Sequence, residues 1–129
     1  MTSDEKRTFV REHHRAILVT RRGDGRLQTS PIMCGIDDQG RVIVSVTQDR
    51  AKTRNLRRDP RATLCVMSDD FYGAWVQVDG TAEIVDLPEA MDGLIALYRQ
   101  VAGEHPDWDD FRRAMVEDRR CLLRVTLDE

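Results

Sequence analysis

Between residues 15 and 85 the chain passes through five segments of strand character, 15–20, 27–34, 41–46, 62–67 and 74–85, and most of the links between them are short. Residues 21–25 (Arg-Arg-Gly-Asp-Gly) and 37–40 (Asp-Asp-Gln-Gly) carry the glycine and aspartate that tight turns favour, so neighbouring strands are expected to run antiparallel. Segment 74–85 alternates, with Trp75, Gln77 and Asp79 on one face, and Gly80 inside it predicts a bulge or the close approach of another backbone. From Pro88 the period becomes helical. Met91, Leu94, Ile95, Tyr98, Val101 and Ala102 form one stripe that Gly103 ends, and Asp107 caps a further helix with Trp108, Phe111 and Met115 turned inward. Residues 120–127 return to strand. Ahead of all this, Ser3 or Asp4 caps a first helix through about Glu12 that presents Phe9 and Val10 to the core. The 129 residues fit one domain, 1–129, without repeats. The expected fold class is mainly β with helices (α+β), a small antiparallel β-barrel with helices packed on it.

A hydrophobic content of 40% and a net charge of -3 describe a globular chain and argue against a general polyanion binder, so no nucleic acid is expected as partner. The amino terminus is polar, and no apolar run approaches the ~20 residues that span a bilayer, so a cytoplasmic protein without membrane association is expected. Cys34, Cys65 and Cys121 lie in apolar runs with no metal-ligand spacing, and are read as small core residues.

The segment that carries chemistry is 47–61, where a strand ends and a short, strongly basic helix begins. Thr47 or Asp49 can cap that helix and Pro60 stops it. Free N–H groups at such a start, reinforced by the helix dipole, suit a phosphate. Of the 20 basic residues only Lys6 and Lys52 are lysines. An arginine bias of that kind arises from base composition alone, so Lys52 at the first turn carries more weight than Arg54, Arg57, Arg58 or Arg61.

No G-x-S-x-G, H-E-x-x-H, Walker or dinucleotide loop is present. His13 and His14 are adjacent and cannot both face one metal from a helix, and His105 reads as a loop residue. Glu104, Asp107, Asp109 and Asp110 straddle a helix start, where the dipole favours acids. No catalytic metal or catalytic side chain is expected. A phosphate-binding turn without a catalytic dyad points to chemistry carried by a bound cofactor.

Residues 50–62, 78–82 and 96–116 together resemble the split β-barrel flavin and deazaflavin oxidoreductases, most closely the pyridoxamine 5'-phosphate oxidase-like branch that uses coenzyme F420. The resemblance implies a six-stranded split barrel, a homodimer and two cofactor sites at the subunit interface. It assigns the cofactor phosphate to Arg50 and Lys52, with Ala51 in the same turn and Asn55 close by. It places the ring system against Gln28, Ser30, Pro31, Ser45 and Thr47, with Trp75 and Gln77 contributed by the partner subunit. The implied activity is F420H2-dependent reduction of an electron-poor small molecule. An FMN-dependent oxidase or reductase of the same fold, and a non-catalytic binder of F420 or another anionic ligand, are the alternatives. Met33-Cys34-Gly35 departs from the polar residues expected there. Relatives commonly carry a tail beyond the last strand, and its contacts are expected to be absent or replaced here.

Overall fold

The computed structural model describes residues 1–129. In chain order its elements are α1 (Ser3–Glu12), β1 (Arg15–Arg21), β2 (Leu27–Met33), β3 (Gly35–Ile36), β4 (Val42–Thr47), α2 (Ala51–Arg58), β5 (Arg61–Met67), β6 (Trp75–Val85), α3 (Met91–Ala102), α4 (Trp108–Glu117) and β7 (Arg120–Leu127). All strands join one antiparallel sheet in the order β2-β1-β5-β6-β7-β4-β3. The sheet curls until β2 approaches β4, giving a split barrel. No helix is long and apolar enough to cross a membrane.

Period-two alternation builds the interior. Leu18 of β1, Leu64 and Val66 of β5, Val78 of β6, Val44 of β4 and Leu123 of β7 are all buried on the concave face. At roughly 1.5–3 kcal/mol for each large apolar side chain removed from water, this layer dominates stability. Phe9 and Val10 of α1 and Leu56 of α2 join the same cluster. A second core lies outside the sheet, where Ile43 and Leu122 on the convex face of β4 and β7 meet Leu94, Leu97 and Phe111 of α3 and α4.

Several sequence expectations change in detail. Six long strands are present; β2 stops at Met33, one residue short of the 27–34 run, and a seventh strand of two residues, β3, forms just beyond that run by pairing with β4. The β1–β2 pairing carries on for one more rung: the Cys34 N–H donates to the His14 carbonyl at 2.8 Å, and His14 Nδ1 lies 3.0 Å from the Cys34 carbonyl. That pair holds Cys34 against the start of β1 and gives His14 a structural role. The first helix is capped by Thr2, not Ser3 or Asp4, because Thr2 and Glu5 form a reciprocal capping box. On α3 the inward stripe includes Leu97, while Ala102 is exposed. Cys65 is half-buried on the convex face, whereas Cys34 and Cys121 are core residues.

Gly80 marks a close approach and not a bulge. The β5–β6 register runs unbroken from Arg61↔Thr81 to Met67↔Trp75, and a Cβ at Gly80 would collide with the Thr126 carbonyl of β7. Gly103 ends α3 at φ 80°, a conformation that glycine adopts without strain. Asp107 caps α4 as expected, its carboxylate accepting from the Asp110 N–H at 3.1 Å.

Candidate functional site

The strand-to-helix turn after β4 is held from below. The Thr53 hydroxyl donates to the Thr47 carbonyl at 2.7 Å, and the Gln48 N–H donates to the Arg119 carbonyl at 3.1 Å. Neither Thr47 nor Asp49 caps α2: the Thr47 hydroxyl donates to the Asp49 carboxylate at 2.9 Å, and the N-cap is Arg50, whose side chain makes no capping bond. The N–H groups of Ala51 and Lys52 consequently have no acceptor within the chain. Two free donors, the positive end of a helix and two cationic side chains converge there, which is the chemistry of a phosphate site.

The other charges of α2 are engaged elsewhere. Arg57 pairs with Asp86 at 2.8 Å, while Gln48 bridges both, accepting from Arg57 at 2.7 Å and donating to Asp86 at 2.6 Å. Arg58 donates to the Arg21 carbonyl at 2.9 Å and to Asn55 Oδ1 at 3.1 Å, and Arg54 donates to the Asp49 carbonyl at 2.5 Å. The helix is therefore less a continuous cationic face than its composition implies. Lys52 stands apart from that set.

Lys52 opens onto a cleft of about 400 Å³ between the edge of β2, the convex face of β4 and β7, and helices α3 and α4. Pro31, Met33, Ser45 and Arg120 line its strand side, and Leu94, Leu97, Tyr98, Val101, Phe111 and Met115 its helical wall. No acidic side chain lines it. Burial, and then the neighbouring charges of Arg50 and Arg120, hold the Lys52 ammonium below the ordinary lysine pKa. Arg120 Nε is buried without a hydrogen-bond partner, and Nη1 reaches only Ser45 Oγ, at 3.5 Å. Ser30 Oγ is also buried and unpartnered. Ser30 lies on the concave face and is no part of the cleft, but the orphaned Arg120 donor beside the uncompensated charge of Lys52 fits an anionic ligand.

The depressed lysine fixes the sign of a pH effect. Only the protonated ammonium attracts an anion, and its proton is lost at a lower pH than that of an ordinary lysine. Phosphate affinity, followed calorimetrically from about pH 7 to about pH 10, is expected to fall with rising pH in the natural protein and to hold in Lys52→Arg. Parallel profiles would exclude Lys52 as the titrating group.

The fold brings together part of the set read from sequence. Pro31, Ser45 and Lys52 line the cleft, with Arg50 and Ala51 at the turn beside it and Thr47 opposite Arg120 in the β4–β7 register. Gln28 and Ser30 pair with Thr20 and Leu18 and so share the concave face with them, while Pro31 alternates to the convex face. These three side chains therefore cannot stand side by side against one ring. Asn55 is buried and tied inward, donating to the Thr20 hydroxyl at 3.1 Å and accepting from Arg58, so it anchors α2 to β1. Trp75 and Gln77 stand exposed on the convex face of β6, outside this cleft. Arg120 and the helical wall were not in that set. Nothing near Arg120 in sequence marks it, since only the β4–β7 register carries it to Ser45 and Thr47.

Residues 2–129 match the pyridoxamine 5'-phosphate oxidase family. The chain belongs to that family. Among solved structures, a conserved hypothetical protein of Mycobacterium tuberculosis is 25% identical, with a TM-score of 0.81 over 100% of this chain and 82% of the other. An F420 reductase is 22% identical, with a TM-score of 0.71 over 95% of this chain and 92% of that one. The heme storage protein HutZ of Vibrio cholerae is 18% identical, with a TM-score of 0.73 over 98% and 89%. The last two share the fold with this member of the pyridoxamine 5'-phosphate oxidase family while differing in the ligand their names record.

Proposed function

We propose that this chain is an F420H2-dependent reductase acting on an electron-poor small molecule. The observation that carries the reading is the phosphate-type turn, with Lys52, Arg50 and two free N–H groups, opening directly into an apolar cleft that contains no carboxylate. The choice of deazaflavin rests on the resemblance in residues 50–62, 78–82 and 96–116 and is supported by the structural likeness to an F420 reductase.

When bound, reduced F420 supplies a hydride. The chain's own residues bind and place. Lys52 and Arg50 fix the phosphate, the convex face around Pro31 and Ser45 receives the ring, and the α3–α4 wall excludes water from the acceptor. No side chain need act as a nucleophile. Burial pushes the Cys34 thiol up to about 12, so it stays protonated and inert. Tyr98 and Lys52 are the cleft groups able to pass a proton to the reduced acceptor.

The reading includes a homodimer. The convex face of β1, β5 and β6 carries Ile17, Val19, Cys65, Met67 and Trp75, none fully buried, with neither α3 nor α4 packed over it. A second copy on this face would bury it and bring Trp75 and Gln77 toward the other subunit's ligand.

Side-by-side titration of the purified protein with F420 and FMN, followed by fluorescence and absorbance, tests the assignment. Micromolar or tighter F420 binding with weak FMN binding is expected. A preference for FMN would move the chain to the flavin-dependent alternative. F420 binding without F420H2 oxidation across a panel of enones, quinones and tetrapyrroles would make it a binder.

A further inference from the structure

We infer that Arg120 is the anchor for an anionic group of the acceptor, so that the substrate class is an apolar, ring-containing molecule bearing a carboxylate. This rests on the cleft being the reductase site proposed above.

The cleft holds two cations in different settings. Lys52 sits at the start of α2 beside the free N–H groups, where one phosphate satisfies the whole turn. Arg120 is the first residue of β7, paired across the sheet with Thr47, and shares the cleft with the apolar wall of α3 and α4. Its buried Nε has no acceptor, its one polar contact is a long one to Ser45 Oγ, and no acid in the cleft balances its charge. A half-buried guanidinium whose Nε is fully buried without an acceptor, beside a lysine, is unfavourable unless a second anion arrives. Arginine offers a planar fork that matches carboxylate geometry, which lysine does not. The adjoining wall, Leu94, Leu97, Tyr98, Val101, Phe111 and Met115, offers contacts for a ring and no further charge. The ligand that complements both parts has an anionic end at Arg120 and an apolar body under the helices.

The test uses 2-naphthoate and its neutral analogue 2-naphthamide as probes, titrated calorimetrically into the purified protein. The natural protein is expected to bind the carboxylate about tenfold more tightly than the amide. Arg120→Gln is expected to abolish that preference with amide binding unchanged, and Arg120→Lys to retain only part of it. Equal binding of the two probes by the natural protein would overturn the proposal without recourse to any variant, as would a preference that survives in Arg120→Gln. So would loss of the preference in Lys52→Gln alone. F420 is titrated into the same proteins. A tenfold loss of F420 affinity in Arg120→Gln would make Arg120 a cofactor ligand and overturn the assignment to the acceptor. Failure of the natural protein to bind F420, with the carboxylate preference intact and dependent on Arg120, would remove the reductase reading while leaving the anion anchor in place.

Discussion

Replacing Lys52 with alanine is expected to weaken F420 binding by ~1.5–3 kcal/mol, roughly 12- to 150-fold in dissociation constant. The size follows from what the side chain would lose. Lys52 is half-buried, has no carboxylate partner, and is already disfavoured as a cation by burial and by Arg50 and Arg120. Its positive charge therefore contributes most when an anion is present, and removing it should relieve the free protein while depriving the complex. Thermal stability is expected to stay constant or rise. Arg57→Ala is the informative contrast: that charge is matched by Asp86 and Gln48, so its removal should leave F420 affinity nearly unchanged. Equal affinity for F420 in the Lys52→Ala and natural proteins would place the phosphate elsewhere.

The scaffold was legible because its signals are local. Alternation in 74–85, the glycine turns, the helical stripe after Pro88 and the Asp107 cap each act within a few residues, and the corresponding elements form at those places. Errors arose where a distant partner decides. β3 forms because Gly35 and Ile36 pair with β4 and because Gln100 of α3, sixty-four residues on from Ile36, bonds both the N–H and the carbonyl of Ile36. Gly80 is required by the Thr126 carbonyl of another strand, which only the β6–β7 pairing brings close.

The same division applies to the site. A lysine at a strand-to-helix turn is a local feature, and its scarcity in an arginine-rich chain singled it out. Whether neighbouring arginines are free is not local: Arg57 is matched by Asp86, almost thirty residues on, and Arg58 by the carbonyl of Arg21. Arg120 joins the cleft because Arg120↔Thr47 and Leu122↔Ser45 are cross-strand pairs. Alternation, once the strand bounds are fixed, separates Pro31 from Gln28 and Ser30, a distinction that the family resemblance does not make.

Placing a charge at the centre of the convex face, as in Ile17→Glu, is expected to convert the proposed dimer into monomers, with sedimentation velocity as the measurement. Ile17 pairs with Pro31 on one side and Cys65 on the other, so its side chain stands in the middle of the β2–β1–β5 surface. In the isolated chain that surface faces outward, and glutamate there should leave the fold and the concave core intact, as far-ultraviolet dichroism would record. In a two-fold dimer the same substitution occurs twice, and an unpaired carboxylate trapped in an apolar interface costs about 3 kcal/mol or more per copy. Dissociation should then reach the site indirectly. Trp75, 62% exposed in the single chain, would no longer be offered to the neighbouring subunit, so F420 affinity should fall even though Lys52 and Arg50 are untouched. A variant that remains dimeric would exclude this face as the interface. A monomer with full F420 affinity would instead confine the site to one subunit and remove Trp75 and Gln77 from it.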